Sequence, residues 1–243
     1  MKPQETEYRH FASLLSGQII RLPYSGDYES PGYKPGNSGV VHGYDLGGTL
    51  ANAAERDNAI IKILWLEPNA DIKKQLFNDK DATRNISRAQ EDGILNGSIR
   101  VDALDGVVEQ LAREQERGED RVLITVGTYQ MARSFIHGAK LEDYVSALVT
   151  SEEANAGNQK PVETFLRVYE KLREKGQIMA TYCDDSEKEA KAALEASKLI
   201  GEKYGGGFTV FLIKKDAKDN ELGLSDSGCI IIRSIKDKEN FEA

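Results

Sequence analysis

Hydrophobic residues fall into two alternating patterns along this chain. Short unbroken apolar runs alternate with longer stretches where apolar residues recur every three or four positions. "RVLITV" (121–126), "QIMATYC" (177–183), "FTVFLI" (208–213) and "CIIIRSI" (229–235) are unbroken runs, and "VSALVT" (145–150) and "GVVHGY" (39–44) are weaker ones. Runs of this kind predict strands buried on both faces. Between them, "GVVEQLAREQERG" sets Val107, Val108 and Leu111 on one side and stops at Gly118, a suitable residue just past a helix end. "VETFLRVYEKLREKG" repeats Phe165, Val168 and Leu172 at helical spacing and stops at Gly176. "SEKEAKAALEASKLIGEKYGGG" opens with Ser186 and carries Glu189 three residues on, a capping-box pattern. Its Ala190, Ala193 and Leu194 form a narrow face suited to close approach to a sheet.

Strand then helix, repeated, predicts an α/β fold: a Rossmann-like, three-layer core with a parallel sheet between helices. Ligands in such folds bind beyond the carboxyl ends of the strands. The loops to inspect therefore begin at Asp45, Thr125, Thr150 and Asp184.

Two regions break the rhythm. Residues 1–37 form an irregular N-terminal extension dense in Pro, Gly, Ser and Asp, with Tyr24, Tyr28 and Tyr33 as its means of packing. Residues 51–103 are polar and helical with no strong strand. This predicts a helical cap at 51–103 inserted after the first strand, and an α/β core made of 38–50 and 104–243. Trp65, at helical spacing with Ile61, is expected in the core of the cap, while Arg84 and Arg88 read as a solvated helix face.

Composition narrows the function. The 243 residues are 40% hydrophobic and 30% charged, ordinary for a soluble globular chain. A net charge of −8 argues against a nucleic-acid partner, which requires a basic face. No apolar run approaches the roughly 20 residues needed to span a bilayer, and the N-terminus lacks the pattern of a secretory signal. The expectation is a cytoplasmic protein without a membrane partner. Cys183 and Cys229 each sit in an apolar run and read as buried free thiols in a reducing compartment. The three histidines, His10, His42 and His137, have no metal-pair spacing. Oligomeric state leaves no signature.

The strand-end residues carry the chemistry. Asp45, Gly47, Gly48 and Thr49 follow the first strand in "HGYDLGGTL". Thr125 closes the next, with Gly127 after it and Thr128 as a rival for its role. Lys160 precedes a helix in "NQKPVETFL", and Asp184, Asp185 and Glu189 lie in "YCDDSEKE". Singly, each has a bland reading as an acidic turn, a surface lysine or a turn-capping hydroxyl. Their order on successive strand ends resembles the haloacid dehalogenase superfamily, a group of Mg-dependent aspartyl phosphatases and relatives. That family places Asp-x-Asp-Gly-Thr, a Ser or Thr, a Lys and an acidic cluster in this sequence. The resemblance covers residues 38–235 and extends to the cap position.

The resemblance implies a Mg²⁺-dependent hydrolase of a small phosphorylated or phosphonate compound. It implies Asp45 as nucleophile, splitting one hard step into two through an aspartyl-phosphate. It implies Thr125 and Lys160 as a clamp on the phosphoryl oxygens. Asp45, the Gly47 carbonyl, Asp184 and Asp185 would hold Mg²⁺, an ion that takes oxygen ligands, with Glu189 in support. Gly48, Thr49 and Gly127 would shape the phosphate-binding loops.

One departure stands out. Gly47 occupies the place of the second Asp, which in this family moves protons, a contribution of typically 10²–10⁴-fold. Glu55, Asp57, Tyr44 and His42 are the replacements that the sequence offers. Three readings stay open: a hydrolase whose acid–base group lies elsewhere, an enzyme that forms and hydrolyses an aspartyl-phosphate slowly, and a non-catalytic protein that binds a phosphorylated ligand or partner. "DLGGT" also resembles the first phosphate loop of sugar kinases built on the actin and hexokinase fold. That reading needs a strand pairing straight back after the motif, where "LANAAERDNAIIK" is helical instead.

Overall fold

Among the described residues, seven strands form one sheet whose pairs are parallel except at one edge. The computed structural model describes residues 34–241 apart from 54, 69, 77–79, 153 and 155. Tyr24, Tyr28 and Tyr33 lie outside the described residues. The strands are β1 (Val40–Tyr44), β4 (Asp120–Thr125), β5 (Ala147–Thr150), β6 (Ile178–Asp184), β7 (Thr209–Ile213), β8 (Gly223–Leu224) and β9 (Ile230–Ile232), in the order β5-β4-β1-β6-β7-β9-β8. Only β8 runs antiparallel, to β9. After β1 the chain builds β4 and β5 on one side, then returns to add β6 on the other. The point of reversal, where an open crevice forms, therefore lies at the carboxyl ends of β4, β1 and β6.

Both faces of the sheet are covered, which is why its strands read as continuous apolar runs. On one face Val122, Ile124 and Tyr182 pack under α6 (Val162–Glu174) and α7 (Glu187–Tyr204), with Phe165, Val168, Ala190 and Ala193 fully buried. Ser186 caps α7, its hydroxyl accepting from Glu189 N at 3.4 Å. On the other face Leu123, Leu148 and Cys183 pack under α4 (Val107–Glu116) and α5 (Tyr129–Gly138). Val107 and Leu111 of α4 are buried as expected, but Val108 faces solvent, since it lies about 100° round the helix from Val107. Cys183 and Cys229 are buried free thiols. Helix α5 has no counterpart in the sequence reading, although Thr128 caps it and Met131, Phe135 and Ile136 supply its apolar stripe.

Between β1 and β4 the chain makes a two-stranded antiparallel ribbon, β2 (Ala51–Asn52) with β3 (Asp102–Ala103). Those strands escaped the sequence reading because two residues carry no periodicity. Among the described residues the ribbon brackets three helices, α1 (Arg56–Ile63), α2 (Ile72–Gln75) and α3 (Lys80–Leu95). Their Ile60, Ile72, Ile86 and Ala89 join Met131, Phe135 and Ile136 of α5 in one continuous core. Polar contacts reinforce this packing: Gln90 Nε2 donates to Met131 O at 2.8 Å, and Ser87 Oγ shares a hydrogen bond with Thr128 Oγ1 at 2.9 Å. Gly138 permits the close approach, since a Cβ there would lie 2.9 Å from Val101 Cβ.

Trp65 corrects the sequence expectation. It is 93% exposed and adopts φ +55°, because α1 stops at Ile63 and the helical spacing that linked it to Ile61 ends there. Arg88 is exposed, and Arg84 pairs with Asp81 at 3.2 Å on the same solvated face. Gly36 and Asn37 bond to the chain entering β4: Gly36 N–H donates to Asp120 Oδ1 at 2.9 Å and Asn37 N–H to Gly118 O at 2.8 Å. Among the described residues, no helix is long and apolar enough to cross a membrane.

Candidate active site

Three strand ends and one loop bring the predicted residues together. Asp45 directly follows β1, with its backbone N–H donating to Cys183 O at 2.8 Å. Thr125 ends β4, and Asp184 ends β6. Lys160 sits just before α6, followed by Pro161 at the helix N-cap. Its backbone N–H donates to Glu189 Oε2 at 2.9 Å, which fastens the Lys160 loop to the first turn of α7.

Lys160 Nζ is the hub. It donates to Asp45 Oδ1 at 2.7 Å and to Asp184 Oδ2 at 2.6 Å, and lies 2.9 Å from the Tyr182 hydroxyl. Tyr182 in turn donates to Asp184 Oδ2 at 2.6 Å. All four side chains are buried. Tyr182 is absent from the sequence reading, hidden in an apolar strand. A signal was available: residues two apart on a strand share a face, so Tyr182 must lie on the same side as Asp184.

Asp185 completes an acidic group. Carboxylate oxygens of Asp45, Asp184 and Asp185 lie within 4.8 Å of one another. Asp185 Oδ1 accepts from Thr49 Oγ1 at 3.4 Å. Gly48 makes room for it: a Cβ at Gly48, which has φ +85°, would lie 2.1 Å from Asp185 Oδ2. The motif's glycine is therefore required on two counts, backbone and space.

The electrostatics are unbalanced. Three carboxyl groups face one ammonium, so full ionisation would leave two negative charges in excess. Burial pushes the Asp45 carboxyl up, Lys160 opposes this, and Asp184 pushes it up further. Burial and then Asp184 also raise Asp185. Burial alone would lower Lys160, but Asp45 and Asp184 overcome it and drive it well up, so Lys160 stays protonated. A divalent cation among these oxygens would restore neutrality, and their number and hardness suit Mg²⁺.

Above the cluster opens a cavity of about 780 Å³. Asp45, Gly47, Gly48, Thr125, Lys160, Asp184 and Asp185 form its floor, and residues of β2, α1 and α2 its opposite wall. Thr49 lies behind the floor against Asp185. Gly127 is not on the cavity wall; its N–H donates to Ser151 Oγ at 3.0 Å. Thr128, the rival to Thr125, is occupied as the N-cap of α5. Of the four acid–base candidates, Glu55 and Asp57 line the cavity. His42 and Tyr44 do not: both point from β1 into a separate buried network with Glu114 and Lys238.

The comparisons agree on this architecture. No family model matches the sequence, and no curated protein matches it significantly. Solved structures do match. One is YfnB from Bacillus subtilis, provisionally assigned as a HAD-hydrolase and bound to magnesium, with TM-score 0.57 and 14% identity over 86% of this chain and 99% of that one. Another is a predicted phosphoglycolate phosphatase from Haemophilus somnus, with TM-score 0.57 and 15% identity over 84% and 97%. A third is CbbY from Rhodobacter sphaeroides in complex with phosphate, with TM-score 0.54 and 12% identity over 80% and 93%. The class these neighbours define is the haloacid dehalogenase-like α/β fold, and this chain has it. The kinase reading is set aside, since β2 pairs with β3 and not back onto β1.

Proposed function

We propose that this protein is a Mg²⁺-dependent hydrolase of a small phosphorylated or phosphonate compound, working through Asp45 as nucleophile. The observation that carries the reading is the floor of the cavity: carboxyl oxygens of Asp45, Asp184 and Asp185 within 4.8 Å of one another, with the Lys160 ammonium against two of them. Magnesium in one fold neighbour and phosphate in another are consistent with it.

In this reading Asp45, Asp184 and Asp185 would hold the cation, and the Gly47 carbonyl would be available as a further oxygen ligand. The ion supplies charge neutralisation between two anions that would otherwise repel. Lys160 orients Asp45 and opposes the upward push of burial on its carboxyl, and presents its charge to the phosphoryl oxygens. Thr125 adds a hydroxyl donor from the end of β4. Asp45 attacks phosphorus, the leaving group departs with a proton, and water then releases phosphate from the aspartyl-phosphate. Residues 51–103 act as the cap: they wall the cavity and select the substrate.

Gly47 favours a second reading, a protein that binds a phosphorylated ligand without efficient turnover. The two readings separate in one experiment. Hydrolysis of p-nitrophenyl phosphate with Mg²⁺ is compared for the natural chain and Asp45→Asn. A rate lost in the variant supports the nucleophile; equal rates rule it out. Absence of turnover, with tight Mg²⁺-dependent binding of beryllofluoride, identifies the binding protein. Gly47→Asp meets no atom within 4 Å at its Cβ, so it is accommodated and should then raise turnover.

A further inference from the structure

The reaction needs a proton carrier, and among the described residues the cavity offers six acids besides the bare Gly47: Asp45, Glu55, Asp57, Asp184, Asp185 and Glu189. Five are committed. Asp45 and Asp184 hold Lys160 Nζ at 2.7 and 2.6 Å. Asp185 takes the Thr49 hydroxyl at 3.4 Å, and Glu189 takes the Lys160 backbone N–H at 2.9 Å. Asp57 Oδ1 accepts from both Nε and Nη2 of Arg56, at 2.9 and 2.8 Å. Glu55 alone makes no side-chain hydrogen bond among the described residues.

Glu55 is exposed on the cavity wall, and its backbone conformation is an uncommon one for glutamate. Glu55 adopts φ 59°, ψ 12°, the left-handed region, at a cost of about 1–2 kcal/mol for a residue with a Cβ. It is the N-cap of α1, yet its side chain makes no capping bond. Asn, Asp, Ser or Gly would serve better there. A residue held in a costly conformation without structural return, on the wall of a reaction cavity, is the pattern of functional strain. The chain also carries it there directly. Gly47 bridges to Ala51, Gly48 N donates to Ala51 O at 2.9 Å, and Ala51, Asn52 and Ala53 climb the wall to Glu55.

We propose that Glu55, supplied by the N-cap of the first inserted helix, is the general acid and base that Gly47 cannot be. This rests on the aspartyl-phosphate reading above. In the second half-reaction water attacks phosphorus and its proton passes to the Glu55 carboxylate. The P–O bond to Asp45 breaks, and its electron pair returns to the Asp45 carboxylate as phosphate leaves. In the first half-reaction the protonated Glu55 gives that proton to the leaving oxygen.

The test is trapping of the phosphoenzyme in the full chain with radiolabelled acetyl phosphate and Mg²⁺, followed by a chase. The natural chain should take up acid-stable label that Asp45→Asn lacks, and release it. Glu55→Gln should take up label and release it about 10²-fold more slowly, the lower range for a lost proton-transfer group. Adding Gly47→Asp to Glu55→Gln should restore release. Glu55→Gly separates chemistry from structure: glycine tolerates φ 59°, so its urea midpoint should match or exceed that of the natural chain while release stays slow. Label absent from the natural chain overturns the nucleophile reading and Glu55 with it. Label present, and released equally fast by Glu55→Gln, overturns the Glu55 assignment alone.

Discussion

The ammonium of Lys238 meets Glu114, Tyr44 and His42, all far from it in sequence, and its removal is expected to be severe. It sits on a short C-terminal helix (Ile235–Asn240) and has 0% exposure. Its Nζ donates to Glu114 Oε1 at 2.7 Å and the Tyr44 hydroxyl at 2.8 Å, and lies 3.2 Å from His42 Nδ1. Burial alone would raise Glu114; Lys238 and then His42 more than reverse this and bring it from 4.5 down to about 2. At about 1.4 kcal/mol per pH unit, that lowering amounts to about 3 kcal/mol. Removing one partner of a buried pair costs about 3–5 kcal/mol, which agrees. Lys238→Met should therefore lose about 3–5 kcal/mol at pH 8, or at least roughly 6–12 °C in melting temperature for a domain of this size.

The pH dependence carries the sign. With its folded value depressed, Glu114 stabilises the natural chain above about 4.5, and that contribution disappears as pH falls toward 2. Without Lys238, burial dominates and the folded value rises above the unfolded one. The neutral form is then favoured at low pH and stability is lost as pH climbs. The deficit of Lys238→Met, measured by urea unfolding, should shrink between pH 8 and pH 5. Lys238→Met with Glu114→Gln should recover much of it. A deficit below about 1 kcal/mol at pH 8, or one unchanged at pH 5, would refute the reasoning.

Two further outcomes follow from the cavity floor. Tyr182→Phe removes the hydroxyl that spans Lys160 and Asp184; Mg²⁺ affinity, read by calorimetry, and turnover should fall together by roughly tenfold, for the loss of about 1–1.5 kcal/mol of hydrogen bonding, while the unchanged ring keeps its 4.9 Å edge contact with Phe165. Gly48→Ala places a methyl against Asp185 and a Cβ at φ +85°; it should cost about 1–2 kcal/mol in unfolding experiments and weaken Mg²⁺ binding more than Thr49→Val does, an order that competition with a metal-sensitive dye would reveal.

The sheet could be read from the sequence because burial on both faces writes its own signal. Val122, Leu123 and Ile124 are apolar without alternation, and only a strand covered on both sides requires that. The long helices α6 and α7 were equally plain, since their stripes and glycine stops are local. The candidate residues were legible through their order: Asp45, Thr125, Lys160 and Asp184 follow successive apolar runs, and strand ends converge in a parallel sheet.

Tertiary structure decided what depends on contacts between distant segments. Trp65 fits a helical stripe in sequence, yet the helix ends two residues earlier and the ring faces water. Tyr182 and Lys238 look like an apolar-strand aromatic and a surface lysine until their partners, Lys160 and Glu114, arrive from elsewhere in the chain. The acid–base candidates were four in sequence; packing turned His42 and Tyr44 toward Lys238, gave Asp57 to Arg56, and left Glu55 on the cavity wall. Sequence fixes which side chains exist and the period in which they repeat. Which of them meet, and which are left without a partner, is settled only when the sheet reverses direction at β1 and the inserted helices close over it.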